Sequence, residues 1–283
     1  MIVTLLLPLL FFLLYLAFIE KPGIRITEDG LLCRNHTDFL RGMAILIIMM
    51  MHSSCSAGQR VFTPLGGIGV ALFLVLSGYG LRESFAKKGL NGFWKKKMSR
   101  IFVPYAFFII LKTCITGKYE YFLSLQFLFD ILCIKSSYWF ISFIVYNYIA
   151  FWIVYRIKGF YKYRYFVFFM IGLFFFCFDN RIHAEQALSF PTGLWLSENK
   201  GRYSYFIHAK KRSWIAFIGI LTVSLICLFI KQIPSIRELQ GENLLFHAIE
   251  LVHKYGFSIC IILIISKFPP RNRASCSTVQ KYL

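Results

Sequence analysis

The sequence predicts an all-α fold, a polytopic membrane helix bundle with about nine transmembrane helices. Hydrophobic residues make up 58% of the 283 residues and charged residues only 16%, whereas a soluble domain is rarely more than half apolar. The apolar residues form repeated runs that approach the ~20 residues a helix needs to cross the hydrocarbon of a bilayer. Lysine and arginine are concentrated in alternate loops between these runs, which is typical of a chain that crosses a membrane several times.

The predicted crossings follow the apolar runs in chain order. These runs are 1–19, 39–57, 66–81, 101–116, 138–155, 165–178, 186–197, 214–230 and 244–266. The first run carries no charge and lacks the basic start and small-residue cleavage site of a removable signal peptide, so we expect it to be retained as a span. Several runs are short, so their ends must extend into flanking polar residues.

The charge of the loops orients the predicted bundle. Basic residues accumulate in 82–100, 156–164, 198–212 and after 266, and they are sparse in the intervening loops. Because lysine and arginine favour the cytoplasmic side, the N-terminus is predicted to be external. This alternation requires that 186–197 crosses and that 121–134, with Gln126 and Asp130, stays as an interfacial or re-entrant helix on the outer face.

The net charge of +19 does not indicate nucleic-acid binding, because the basic residues are spread over short loops beside the apolar runs. Acidic lipid headgroups or an anionic cofactor are the expected partners. The eight cysteines show no CxxC spacing and no His/Cys zinc pattern. Neither a disulfide framework nor a metal site is therefore predicted.

Two polar residues bound an apolar stretch in the second run. Arg41 and His52 are eleven residues apart, close to three helical turns and roughly 16 Å along one face of the helix. Polar residues in such a helix usually face protein or a wet cavity, which makes them candidates for a functional site. The alternatives are that Arg41 is a snorkelling anchor and that His52 only packs against another helix.

The next two runs carry further candidates. Ser77-Gly78-Tyr79 places two hydroxyls beside a permissive backbone near the cytoplasmic end of 66–81, although the small residues of this run also suit close helix packing. Lys97 and Arg100 lie three residues apart and would suit a polyphosphate. The alternative is a plain cytoplasmic cluster of positive charge.

These segments together resemble the acyltransferase-three family of multi-spanning membrane O-acyltransferases. The resemblance is carried by Asp38-Phe-Leu-Arg41-Gly42 with His52, by 67–79 ending in Ser77-Gly78-Tyr79, and by 97–105 with Lys97, Arg100 and Pro104. Segments 137–143 and 188–193 are weaker landmarks. Members of the family acylate hydroxyls of surface polysaccharides, peptidoglycan, lipid-linked sugars and some secreted metabolites of bacteria.

The resemblance implies a role for each matching residue. His52 matches the essential histidine, Arg41 the arginine upstream of it, and Ser77, Gly78 and Tyr79 the Ser-Gly-aromatic element. Lys97 and Arg100 match the basic pair, with Lys97 in place of the commoner arginine. Together with Arg41 and the Ser-Gly-aromatic element, they are expected to bind the donor, acetyl-CoA or another acyl-CoA.

The resemblance also implies where the protein works. The acceptor is expected to be a glycan or a lipid-linked sugar, and the location the bacterial inner (cytoplasmic) membrane, with no permanently bound cofactor. The expected division is an N-terminal helix and linker over 1–37, an acyltransferase domain over 38–268 and an atypical cytoplasmic tail over 269–283. The family pattern predicts about ten crossings from the Arg-Gly helix onward, whereas the apolar runs of this chain predict eight there, so an inactive truncated member is one alternative. A transporter or flippase of lipid-linked sugars is another.

Overall fold

A computed structural model describes residues 34–58, 62–178, 181–240 and 243–267. Within these residues all regular structure is helical. The α-helices are α1 Arg34–Ser56, α2 Thr63–Lys88, α3 Phe93–Lys97, α4 Val103–Thr116, α5 Leu125–Ile131, α6 Trp139–Arg156, α7 Lys158–Lys162, α8 Arg164–Phe178, α9 Arg181–Ala184, α10 Ser189–Glu198, α11 Lys200–His208, α12 Lys210–Ile230, α13 Pro234–Arg237 and α14 Leu244–Lys267. A π-helical turn, Met98–Phe102, joins α3 to α4, and a 3₁₀ helix, Tyr119–Leu123, precedes α5.

Six helical segments among the described residues are long and apolar enough to cross a membrane. They are Thr37–Ser56, Thr63–Lys88, Phe93–Thr116, Trp139–Arg156, Lys210–Ile230 and Leu244–Lys267. The helix Arg164–Phe178 is apolar but shorter. The structure therefore confirms an all-helical membrane protein, but it does not confirm nine crossings.

The remaining predicted crossings do not correspond to long helices among the described residues. The run 1–19 lies outside the described residues. The run 186–197 corresponds to α10, which has only ten residues and is followed at once by α11. In the segment 121–134, the 3₁₀ helix and α5 have five and seven residues, too short to cross.

The chain divides into two compact units, each with its own interior. Of the described residues, the first unit contains those up to Glu83 and those from Phe176 onward, and the second contains 84–175. In the first unit, α1, α2, α10, α11 and α14 share an apolar core that includes Leu40, Leu72, Leu76, Ile207 and Ile262.

Glycines allow backbones in the first unit to approach closely. A Cβ at Gly193 of α10 would lie 1.9 Å from the carbonyl oxygen of Val75 in α2, and one at Gly78 would lie 2.2 Å from that of Phe190. Neither position has room for a side chain. The two helices therefore cross almost backbone to backbone, as small-residue motifs allow in membranes.

Aromatic rings fill the interior of the second unit. Phe93 stacks on Phe151 of α6 with ring centroids 6.0 Å apart, and Phe151 stacks on Tyr155 at 4.1 Å. Phe85 meets Tyr155 edge to face at 4.8 Å. These rings fix the start of α3 against the C-terminal half of α6.

Candidate functional site

Arg41 lies on α1 and is anchored at both edges of its guanidinium. Nη1 donates to the carboxylate of Asp38 at 2.9 Å, and Nη2 donates to the carbonyl oxygen of Leu76 in α2 at 3.0 Å. The side chain is 30% exposed. The guanidinium is therefore fixed in position and still accessible.

A glycine on the neighbouring helix makes room for this anchor. A Cβ at Gly80 would lie 2.6 Å from Nη2 of Arg41, whereas a Cβ at Gly42, next to Arg41 on its own helix, would meet nothing within 4 Å. The space that the guanidinium needs is therefore provided by α2, at Gly80, and not by Gly42.

The Ser77-Gly78-Tyr79 element lies beside this anchor. Ser77 and Tyr79 are both buried, Tyr79 within the apolar core of the first unit. The ammonium of Lys200 lies 5.8 Å from the centre of the Tyr79 ring. Gly78 forms the close crossing with α10. These contacts give the element a structural role in addition to any role toward a ligand.

Further ion pairs cluster at the same end of the first unit. Nε of Arg82 donates to Glu198 at 2.7 Å. Glu83 accepts from the hydroxyl of Ser197 at 2.5 Å and from the ammonium of Lys200 at 2.6 Å. Each of these bonds joins the C-terminal part of α2 to the region where α10 ends and α11 begins.

His52 lies at the other end of α1 and is exposed. Its neighbour Met51 covers Gly66 near the start of α2, where a Cβ would come within 2.5 Å of the Met51 methyl group. Because α1 is continuous from Arg34 to Ser56, the imidazole and the Arg41 guanidinium are about three helical turns apart. An exposed imidazole is accessible to a substrate and able to exchange protons.

A buried cluster of six ionisable residues lies at the same end of the first unit as His52. Its members come from the segment before α10, the end of α12 and the middle of α14: Glu185, Lys231, His247, Glu250, His253 and Lys254. The aliphatic stem of Lys254 lies against Gly67, directly beside the Gly66 that Met51 covers. These residues were not among those predicted from the sequence.

Each carboxylate of this cluster is paired. Glu250 lies 2.7 Å from the ammonium of Lys231 and 2.8 Å from that of Lys254, and Lys254 also pairs with Glu185. Nδ1 of His247 lies 3.2 Å from Glu185. Two glutamates and two lysines balance in charge, which is what burial in an apolar span requires.

The imidazoles of the cluster keep hydrogen-bonding capacity. His253 has no exposed surface. Three ring nitrogens have no hydrogen-bond partner among the described residues: Nδ1 and Nε2 of His253, and Nε2 of His247. Buried groups of this kind normally have partners. The charged group that the structure gives near His253 is Glu250, at 3.8 Å from its Nδ1.

In the second unit, Lys97 and Arg100 flank the start of the π-helical turn. The ammonium of Lys97 lies 4.0 Å from the centre of the Tyr148 ring, and Arg100 is exposed. A three-residue spacing puts two residues on one face of an α-helix, but a π turn rotates less per residue. The two side chains therefore point in different directions: the Lys97 ammonium lies over the Tyr148 ring, whereas Arg100 is exposed. Among the described residues, no group of three His, Cys, Asp or Glu side chains is arranged to hold a metal ion.

Comparison with known proteins identifies the family. The model of the acyltransferase-three family, described as an acyltransferase domain, matches residues 35–281. No curated protein and no solved structure gives a significant match to the chain. The chain therefore belongs to the acyltransferase-three family, and with its six long apolar helices it is a membrane acyltransferase.

Proposed function

We propose that this membrane acyltransferase moves an acetyl or another small acyl group from an acyl-CoA to a hydroxyl of a cell-envelope glycan in the bacterial cytoplasmic membrane. One observation carries the proposal: α1 presents an anchored, accessible guanidinium at one end and an exposed imidazole at the other. A single helix thus offers an anion-binding group and a proton acceptor.

The donor is proposed to bind from the cytoplasmic side. The basic loop 82–100 orients that end of the bundle toward the cytoplasm. Arg41 is proposed to bind the anionic nucleotide of acyl-CoA, and the family resemblance adds Lys97 and Arg100 as further candidates for that role. The Ser77-Gly78-Tyr79 element lies beside Arg41, which supports a role for it in shaping the donor site.

His52 is proposed to act as the general base. Its neutral imidazole takes the proton from the acceptor hydroxyl while the hydroxyl oxygen attacks the thioester carbonyl. As the C–O bond forms and the C–S bond breaks, the sulfur of CoA leaves and takes up the proton from the imidazolium. The products are an O-acyl glycan and free CoA, and the histidine returns to its neutral state.

The replacement His52→Ala tests the catalytic assignment. Loss of a general base typically costs about 10²- to 10⁴-fold in rate, so acyl incorporation into the glycan should fall to background. Ser53→Ala, at the exposed neighbouring position, is the matched control and should retain activity. Both variants should remain in the membrane fraction.

Mass spectrometry of the host glycan tests the reaction class. Deletion of the gene should remove one acyl mass per repeat unit, and complementation with the wild-type gene but not with His52→Ala should restore it. A fully acylated glycan retained inside the cell would instead indicate transport. Normal acylation in the His52→Ala strain would disprove the role of the histidine.

A further inference from the structure

A cavity of about 230 Å³, with a largely apolar surface and several polar side chains in its wall, opens in the second unit, beside the C-terminal end of α4. Two lysines, two tyrosines, a carboxylate and three hydroxyl side chains share its wall with one aliphatic residue. The lining is Ile109, Lys112, Thr113, Thr116, Lys118, Tyr121, Asp130, Ser137 and Tyr138. None of these residues belongs to the donor site or to the catalytic step proposed above.

Asp130 organises one wall of the cavity. The carboxylate is 1% exposed and accepts hydrogen bonds from the Tyr121 hydroxyl, from the Ser137 backbone N–H at 2.5 Å and hydroxyl at 3.0 Å, and from Gln126 at 3.2 Å. Burial alone would raise the pKa of Asp130, but these hydrogen bonds outweigh it and hold the pKa below its usual value. The carboxylate oxygens are thus used by the protein itself.

The segment after α5 adopts an unusual backbone to form this wall. Cys133 and Lys135 have φ of 57° and 48°, in the left-handed region that non-glycine residues rarely occupy. Such conformations persist where surrounding contacts determine them, and they are concentrated at ligand sites. Here the contacts to Asp130 fix the segment that carries Ser137 and Tyr138.

The two tyrosines are held in place before any ligand binds. The Tyr138 ring meets Tyr105 and Phe108 edge to face at 6.0 and 5.7 Å, and the Tyr121 ring meets Phe127 at 5.6 Å. The Tyr138 hydroxyl accepts from the ammonium of Lys112 at 2.8 Å. A preorganised site of this kind loses little conformational entropy on binding.

The charge of the cavity favours an anion. Lys112 and Lys118 are exposed and bring two positive charges against the one negative charge of Asp130, whose oxygens already accept from protein donors. The hydroxyls of Thr113, Thr116 and Ser137 can accept hydrogen bonds from a polyhydroxylated ligand. The cavity is below the ~300–1,000 Å³ of sites for drug-sized molecules, so it suits a single ring and not a nucleotide.

We infer that this cavity binds one anionic sugar unit, with its carboxylate or phosphate on Lys112 and Lys118 and its hydroxyls on the threonine and serine side chains. This inference rests on the proposed function. It makes that function more specific, because the acceptor would be an acidic glycan. The loop charges predict that the end of α4 faces outward, where an envelope glycan is found.

Binding to the full-length protein in detergent micelles tests the inference. The probes are methyl glucuronide, glucose 1-phosphate and, as the neutral match, methyl glucoside, titrated by saturation-transfer NMR. Either anionic sugar should bind more tightly than the glucoside. Lys112→Gln and Lys118→Gln should each weaken that binding about tenfold or more, since a hydrogen bond to a charged group is lost.

Lys135→Gln is the matched control, because it removes the same charge from the same unit, in the loop after α5, at a position that does not line the cavity. It should bind like the wild type. Equal affinity for the glucuronide and the glucoside, or an equal loss in Lys135→Gln, would overturn the inference.

A second arm separates a sugar from a lipid headgroup. In nanodiscs of phosphatidylcholine the anionic sugar should bind as in micelles, and replacing part of the lipid with phosphatidylglycerol should leave that binding intact. Abolition by phosphatidylglycerol would show a headgroup site and overturn the inference. Because binding is read without acyl transfer, a protein that binds the acidic sugar but acylates nothing would refute the proposed function alone.

Discussion

The position of the Arg41 side chain depends on a glycine in the neighbouring helix, because that glycine has no side chain to block it. Its guanidinium rests on the carbonyl oxygen of Leu76 only because Gly80, one turn further along α2, leaves the space open. The same guanidinium is held by Asp38 from its own helix. A donor site built on Arg41 thus depends on α2 as much as on α1.

The replacement Gly80→Ala should therefore weaken donor binding. The added methyl group would lie 2.6 Å from Nη2, so the guanidinium must move away from Leu76. We expect the KM for acyl-CoA to rise about tenfold, as expected for loss of one charge-assisted hydrogen bond, with a smaller change in kcat. Steady-state kinetics of acyl transfer measure both constants.

Gly42→Ala is the control for this prediction. It adds the same methyl group beside Arg41, but into open space, and alanine is the better helix former. Its kinetic constants should match those of the wild type. If Gly80→Ala behaves like Gly42→Ala, the guanidinium is not held where the structure shows it.

At the scale of the elements, apolar run length is a good predictor of the long helices. The runs 39–57, 66–81, 138–155, 214–230 and 244–266 each correspond to one long helix, and 101–116 to α4. The structure extends some of them into charged residues, because a backbone helix continues wherever its hydrogen bonds are satisfied. The π turn at Met98–Phe102 could not be predicted in this way, because it does not change the pattern of apolar residues.

The residues of the site could be predicted only where one segment carries them. Arg41 and His52 lie on one run, whereas the buried cluster brings Glu185, Lys231 and α14 together across long stretches of chain. Hydrophobic periodicity does not indicate which segments meet in space. The one local signal is that His247, Glu250, His253 and Lys254 lie within a single apolar span, where ionisable residues are costly.

The cluster should make a measurable contribution to the stability of the helix pair α12 and α14. Glu250→Gln leaves the buried ammonium of Lys231 without its carboxylate, and breaking a buried ion pair costs about 3–5 kcal/mol. We expect a clear fall in the thermal unfolding midpoint in detergent. The double variant Glu250→Gln/Lys231→Gln should lose less than the two single variants added together.

The exposed Glu120, in the 3₁₀ helix before α5, provides the control for charge alone. Glu120→Gln should change the stability by no more than about 0.5 kcal/mol. A Glu250→Gln protein as stable as this control would mean that the cluster does not hold α12 and α14 together.

At the scale of the whole molecule, the distribution of charge predicts the topology. The 32 basic residues outnumber the 13 acidic ones, and they are concentrated in alternate loops. If the positive-inside tendency governs this chain, the region between α4 and α6 faces outward and the short helix α7 faces the cytoplasm. The proposed transfer from a cytoplasmic donor to an external acceptor requires this arrangement.

Labelling with a membrane-impermeant maleimide checks this topology. In a variant without its native cysteines, Glu120→Cys should be labelled in intact cells, whereas Lys158→Cys should be labelled only after the membrane is opened. Both positions are exposed, so a difference reports the side of the membrane and not burial. The reverse pattern would place the acidic-sugar cavity on the wrong side for an envelope glycan.

The π turn at Met98–Phe102 also determines which side chains of α4 face the rest of the second unit. A π turn holds one residue more than an α turn, so Ile109, Lys112, Thr113 and Thr116 are offset by about 100° from the positions that an unbroken helix from Phe93 would give them. A relative lacking one residue here would keep the same span and the same hydropathy. It would nevertheless turn these side chains away from the Asp130 loop. A single-codon deletion here should therefore change acceptor preference, and because Arg100 lies within the turn it should also disturb the proposed donor contact.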